Sequence, residues 1–213
     1  MEIRFDQQVA ILTGAGRGLG RAHAIAMASK GAKVVVNDFS GSQEISENAN
    51  SVVEEIISAG GEAIANGANV ANFDQVQSMV NKTIDKWGRV DILVNNAGIL
   101  RDKTFLKMSV EDMREVIDVH LIGSLNCSKA VWETMREQNY GRIVLTSSSS
   151  GLYGNFGQTN YGAAKMAMLG IMNTLHLEGM KYNIKVNCLA PTAGTAMTDG
   201  LFPEPVFKLM PPE

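Results

Sequence analysis

Tyr161 and Lys165 stand four residues apart in a stretch, residues 160–181, whose apolar spacing predicts a helix. Residues at i and i+4 share one helix face, so the phenol and the ammonium are neighbours one turn apart. A free tyrosine has a pKa of about 10, too high for a base at neutral pH. A nearby positive charge favours the phenolate and lowers that value. The pair then suits proton exchange with the oxygen of an alcohol or a ketone. Ser148 lies upstream, in the polar run 146–150. Its hydroxyl can hydrogen-bond the same oxygen as charge develops there. Tyr and Lys four apart also arise by chance, with Lys as a solvated arm, and a run of serines alone reads as a turn. The chemistry therefore depends on which elements hold these side chains.

The first such element is at the N-terminal end. Residues 9–12 form an apolar run that predicts a strand, and residues 18–30 predict a helix. Between them lies Thr13-Gly14-Ala15-Gly16-Arg17-Gly18-Leu19-Gly20. Glycines there let the backbone turn tightly and approach a pyrophosphate. The helix N-terminus offers free N–H groups and the positive end of its dipole. A strand before such a turn and a helix after it point to a dinucleotide site. Asp38 ends the second strand, predicted at 34–36. A carboxylate there accepts hydrogen bonds from the ribose hydroxyls of the adenosine half and repels a 2′-phosphate, which favours NAD over NADP. Arg17 argues the other way, because a guanidinium near the turn can pair with that phosphate. Asp38 carries more weight, since Arg17 can simply point to solvent.

The remaining pattern alternates short apolar runs with amphipathic ones. Ile45, Ala49, Val52, Val53, Ile56 and Ile57 follow one buried helical face, stopped by Gly60-Gly61. A weaker third strand falls within 63–70, and Phe73, Val76, Val80 and Ile84 mark a third helix. Strands are predicted at 91–95, 142–146 and 184–189. A long helix is predicted over 109–138, with Ser109 and Asp112 in capping-box positions. Continuous apolar strands mark a parallel sheet covered on both faces. The predicted fold is α/β, a Rossmann-type doubly wound parallel sheet. In such a sheet the strand carboxyl ends face the ligand crevice, and Ser148 follows one. Residues 200–213 hold four of the five prolines and show no clear element.

Bulk properties narrow the classes. The chain of 213 residues is expected to form one domain, 45% hydrophobic with a net charge of −3. Well-mixed charges exclude the basic stripe of a nucleic-acid binder. No apolar run approaches the length of a membrane span. The charged start, residues 1–6, predicts no signal peptide, and residues 210–213 carry no peroxisomal address. Cys127 and Cys188 sit within apolar segments and are expected as buried free thiols rather than a bridge or metal site. A cytoplasmic setting is expected.

Taken in order, these motifs resemble those of the short-chain dehydrogenases/reductases over nearly the whole chain. The family's Thr-Gly-x-x-x-Gly-x-Gly is at residues 13–20, its Asn-Asn-Ala-Gly at 95–98, and its Ser then Tyr-x-x-x-Lys at Ser148, Tyr161 and Lys165. The resemblance implies an NAD(P)-dependent oxidoreductase acting on CH–OH groups, with those three residues catalytic. It implies cofactor contacts at Gly14, Arg17, Gly18, Leu19, Gly20, Asp38, Asn69, Val70, Asn95, Ala97, Gly98, Tyr161, Lys165 and Pro191, with Lys165 on the nicotinamide ribose and no metal. Segments 95–102, 151–158 and 190–194 are similar to the (3R)-hydroxyacyl-CoA dehydrogenase units of peroxisomal multifunctional enzymes type 2. That finer resemblance implies a (3R)-3-hydroxyacyl thioester as substrate. Helices at 109–138 and 160–181 resemble those by which the family forms homodimers and homotetramers.

Three departures stand out. His120 replaces an Asn that in the family helps hold a helix kink, and a structural role is expected for it. Pro191-Thr192 replaces Pro-Gly, and Thr195 and Thr198 both remain candidates for the family's cofactor-bonding Thr. The chain is also expected to lack the last strand and helices of the family, with residues 200–213 a partial substrate loop. Two other functions stay open. One is a 3-oxoacyl-carrier-protein reductase using NADPH, which Asp38 disfavours. The other is a non-catalytic NAD-binding sensor, which the presence of both Tyr161 and Lys165 disfavours.

Overall fold

The computed structural model describes residues 3–42, 44–195, 198 and 203–212. Six strands are present: β1 (Val9–Thr13), β2 (Lys33–Asn37), β3 (Glu62–Asn66), β4 (Ile92–Asn95), β5 (Gly141–Thr146) and β6 (Ile184–Leu189). They pair in parallel in the order β3-β2-β1-β4-β5-β6, so the chain reverses direction across the sheet between β1 and β4. This is the doubly wound arrangement, with its ligand crevice at that switch.

The register shows why the sheet is covered twice. Val35, Ile11, Leu93, Ile143 and Val186 are successive register partners across five strands. All five sit in one core with Val76, Val131 and Met168. Their strand neighbours Ala10, Leu12, Val34 and Val36 point to the opposite face and pack with Ala24, Val52 and Ile56. Successive side chains in a strand alternate between faces, so central strands must be apolar throughout. β6 alternates instead, with Ile184 and Val186 buried and Lys185 and Asn187 exposed. It is one of the two edge strands, and no seventh strand is found among the described residues.

The helices are α1 (Gly18–Ser29), α2 (Glu47–Ser58), α3 (Phe73–Trp87), α4 (Val110–Ile117), α5 (Gly123–Glu137), α6 (Ser149–Tyr153), α7 (Thr159–Gly179) and α8 (Glu204–Lys208). Ser46 caps α2, Asn72 caps α3, and Ser109 with Asp112 forms the expected capping box on α4.

Several boundaries depart from the sequence expectation. The helix expected over 109–138 is two α-helices joined by a π-helical turn, Asp118–Ile122. The wider turn carries His120 inward, where Nε2 meets the Ile99 carbonyl at 2.8 Å, and Ser124 Oγ donates to the His120 carbonyl at 2.6 Å. Ile45 and Ile57 do not share the buried face of α2; they are 46% and 54% exposed. Ile45 instead precedes the Ser46 cap and bridges back to Phe39. β3 stops at Asn66, whose Oδ1 accepts the Ala68 N–H at 2.9 Å and turns the chain. The segment 200–213 contains one short helix, α8, while its residues 200–202 and 213 lie outside the described residues.

At the switch, Thr13 joins the two diverging strands. Its hydroxyl donates to the Val94 carbonyl at 3.3 Å and accepts the N–H groups of Asn96 and Ala97, each at 3.0 Å. Thr13→Val keeps the shape and removes all three bonds. We expect it to destabilise the fold by about 1–3 kcal/mol in urea unfolding, because Thr13 and the Val94 carbonyl are buried while the Asn96 and Ala97 N–H groups are half-buried.

Candidate active site

A cavity of about 990 Å³ opens at the carboxyl ends of the strands. Its floor is the glycine turn. Gly14 has φ +61°, and a Cβ there would come within 2.8 Å of Ala97 Cα. A Cβ on Gly20 would overlap the Gly14 carbonyl and crowd Asn96. The turn is therefore as tight as a backbone without side chains allows. Asn96 locks it from the β4 side, its Nδ2 donating to the carbonyls of Thr13 and Gly14, both at 3.0 Å. Arg17, the N-cap of α1, makes no side-chain cap bond. Gly18, Leu19 and Gly20 at the N-terminal end of α1 line the cavity, where uncapped helix amides suit an anion.

Asp38, Asn69 and Val70 line one end, Pro191 another, and Ala97 and Gly98 the middle. The exposed Arg17 is at the rim. Glycine cradle, helix N-terminus and terminal carboxylate fit a dinucleotide with its pyrophosphate on α1 and a ribose at Asp38. One expected contact differs. Asn95 does not line the cavity; it is 4% exposed and its Nδ2 donates to Ser128 Oγ at 3.3 Å, on the side of α5. Its neighbour Asn96 faces the cavity in its place.

Ser148, Tyr161 and Lys165 converge at the far end of the same cavity. β5 delivers Ser148, which then caps α6 by accepting the Ser150 N–H at 3.2 Å. α7 delivers the other two. The helices touch through Gly151, where a Cβ would come within 2.8 Å of the Met166 nitrogen. Ser147 Oγ donates to the Lys165 carbonyl at 2.8 Å and binds α7 to the end of β5. Thr195 and Thr198 also line the cavity, with Thr198 Oγ1 donating to the Ala193 carbonyl at 2.7 Å. Asn155 and Gln158, within the segment 151–158, also line it, and Gln158 Nε2 donates to Asp102 at 2.6 Å.

Electrostatics depart from the sequence argument. Lys165 is 4% exposed, and burial lowers its pKa to about 8. Its Nζ donates to the Thr146 carbonyl at 2.7 Å and lies 5.5 Å from the Tyr161 ring centroid. Burial also raises the Tyr161 pKa, opposed by a hydrogen bond from Ser148 and reinforced by the Asp102 charge. Protein groups alone therefore do not lower the phenol. His120 meets the Tyr161 ring edge-on, centroids 5.2 Å apart. Burial, with the Lys165 charge, holds His120 down to about 3, so it is neutral at physiological pH. Its Nδ1 has no partner among the described residues. Cys127 is buried and Cys188 half-buried, both as free thiols.

A doubly wound sheet with a glycine cradle, a carboxylate after β2 and a Ser, Tyr and Lys cluster defines a Rossmann-type nucleotide-binding protein. The chain matches the short chain dehydrogenase family model over residues 8–205, and it belongs to that family. The family binds NAD(P). The chain is 49% identical to the peroxisomal multifunctional enzyme type 2 of Mus musculus over 99% of its own length and 29% of that protein. It is 47% identical to a 3-oxoacyl-[acyl-carrier-protein] reductase of Synechocystis sp., over 96% of this chain and 81% of that one. A short chain dehydrogenase from Mycobacterium avium superposes with a TM-score of 0.85 at 42% identity, over 94% of this chain and 72% of that chain. This chain thus spans less than a third of the mouse enzyme.

The buried ammonium makes a stability prediction. The unfolded Lys165 has its ordinary pKa of 10.5 and the folded one about 8. Between those values the unfolded chain binds more protons, so this residue makes stability rise with pH across that window. At pH 7 the full penalty applies, roughly 3 kcal/mol before the Thr146 bond is counted. Lys165→Met is expected to stabilise the ligand-free protein by about 1–3 kcal/mol at pH 7. The gain should shrink toward pH 10, as denaturant midpoints at both pH values will show.

Proposed function

We propose that residues 1–213 form one dinucleotide-binding and catalytic unit that transfers a hydride between NAD and a secondary alcohol or ketone. The observation that carries this is the convergence of Ser148, Tyr161 and Lys165 on the cavity that also holds the glycine turn and Asp38. In oxidation, Tyr161 Oη takes the hydroxyl proton while Ser148 Oγ holds the same oxygen. Lys165 favours the phenolate by its charge and holds a ribose of the cofactor. Gly14, Arg17, Gly18, Leu19, Gly20, Asn69, Val70, Asn96, Ala97, Gly98 and Pro191 would complete the cofactor's surroundings. Bound NAD supplies the hydride acceptor and a positive charge, and that charge offsets the burial that raises the phenol.

The substrate we assign is a (3R)-3-hydroxyacyl-CoA. Similarity to the peroxisomal multifunctional enzyme type 2 of mouse supports it. Its product is then the 3-ketoacyl thioester. The Synechocystis relative favours a second reading, reduction of a 3-oxoacyl-carrier-protein with NADPH. Asp38 at the ribose end argues for NAD and against that reading. A sensor that binds NAD without turnover is disfavoured by the intact cluster. Exposed Val110, Leu125, Met166 and Leu177 on α4, α5 and α7 support a homodimer or homotetramer. A reducing compartment such as the cytoplasm suits the two free cysteines. No helix among the described residues is long and apolar enough to cross a membrane.

The test is NADH formation from (3R)- and (3S)-hydroxyacyl-CoA and from simple secondary alcohols. We expect turnover with the (3R) thioester and NAD. Tyr161→Phe is expected to lower kcat by about 100-fold or more while leaving NAD binding nearly unchanged. Wild-type turnover in that variant would refute the catalytic assignment.

A further inference from the structure

Asp38 does not stand alone at the end of β2. The chain leaves it in an excursion through residues 39–45, whose ends meet in an antiparallel bridge between Phe39 and Ile45. The base of this loop rests on Gly67, where a Cβ would come within 2.7 Å of the Glu44 carbonyl. The return brings Ser46 back to Asp38, eight residues later. Ser46 is 6% exposed and is the N-cap of α2. Its Oγ accepts the Ala49 N–H at 3.0 Å. Its one proton goes to Asp38 Oδ2 at 2.8 Å.

The opposite side of that carboxylate is closed by the glycine turn. A Cβ on Gly16 would overlap Asp38 Oδ2 and Cγ and come within 2.8 Å of Asn48 Cβ. Asp38 is therefore gripped between Gly16 and Ser46. Its other oxygen, Oδ1, has no partner among the described residues, and Asp38 lines the cavity. The N-terminal end of α2, where Ser46 is the cap, thus lies against this carboxylate.

We infer that Ser46 is a positioning residue for cofactor selection, resting on the reading of Asp38 as the residue that favours NAD. By occupying Oδ2, Ser46 fixes the carboxylate rotamer and presents Oδ1 to the ribose hydroxyls. It equally prevents the carboxylate from swinging aside for a 2′-phosphate. Discrimination then depends on a rigid carboxylate rather than on its charge alone, since a mobile one can be displaced with little penalty.

The test uses NAD and NADP titrations of the full chain. Ser46→Gly removes the donor yet keeps a residue tolerated at an N-cap. It is expected to lower the preference for NAD over NADP by about tenfold, with most of the change in NAD affinity. Ser46→Thr restores both hydroxyl bonds and should return the preference to within about threefold of wild type. Ser109→Gly, which weakens the cap of α4 away from the cavity, should leave the preference unchanged and so reports mere loss of stability. An unchanged preference in Ser46→Gly, while Asp38→Ala abolishes it, overturns this inference alone. An unchanged preference in Asp38→Ala, or tighter NADP binding by the wild type, overturns the NAD reading and this inference with it. A preference lowered equally by Ser46→Gly and Ser109→Gly also overturns it.

Discussion

Thr13 and Asn96 hold together two strands that must diverge. β1 and β4 are hydrogen-bonded neighbours, yet the chain leaves them toward opposite sides of the sheet. The crevice this opens is useful only if its walls stay fixed. Thr13 Oγ1 and Asn96 Nδ2 supply that fixity, spanning the gap between strand ends with bonds of 3.0 Å. Everything above them follows. The Gly14 backbone can approach Ala97 only because Asn96 draws the turn inward, and α1 can aim its first amides at the crevice only because the turn is that tight. A looser turn would leave room for side chains but would present no ordered row of N–H groups to a phosphate.

The other end of the cavity is built under a different constraint. Ser147, bonded to the Lys165 carbonyl, and Gly151, in contact with Met166, press α7 onto the end of β5 and α6. That close packing places Tyr161, Lys165 and His120 together, and it also dries them. A dry site penalises charge on any of the three: burial lowers Lys165 and His120 and raises Tyr161. At pH 7 Tyr161 and His120 are neutral, and Lys165 keeps its charge at a cost in stability. Such strain against folding is the usual companion of a site organised for proton transfer.

Much of this was readable from residue order. Apolar runs gave β1, β2, β4 and β5 within a residue or so, because a central parallel strand is apolar on both faces, and the spaced apolar residues of 184–189 gave the edge strand β6. The glycine turn was legible for the same reason, since only a demanding backbone needs that many glycines in so few positions. What was not legible depends on partners far away in sequence. The π-helical turn at Asp118–Ile122 leaves the apolar pattern of the long segment nearly unaltered and exists to bring His120 to Ile99. Asn95 and Asn96 are adjacent and chemically identical; alternation along the strand sends one toward Ser128 and the other to the cavity. Ile45 fits the α2 stripe by spacing, but the Ser46 cap sets the helix start after it. The direction of the Tyr161 shift required knowing how deeply α7 is buried, which spacing along α7 does not encode.

These two ends of the cavity depend on each other through charge. The end proposed for adenosine is organised around Asp38, gripped by Gly16 and Ser46. The catalytic end is organised around groups that resist ionisation. On the proposed reading, the dinucleotide brings hydroxyls to the first and positive charge to the second, the polarity of oxidised NAD. A 2′-phosphorylated cofactor would bring its added negative charge to the one place where the chain already holds a fixed carboxylate. Arg17 does not offset this, because it is exposed at the rim of the cavity, whereas Asp38 accepts a bond from the buried helix cap Ser46. A fixed, partly desolvated charge discriminates more strongly than a mobile solvated one of opposite sign. On the proposed reading, the choice of cofactor and the readiness of Tyr161 to ionise are set by one distribution of charge along a single cavity.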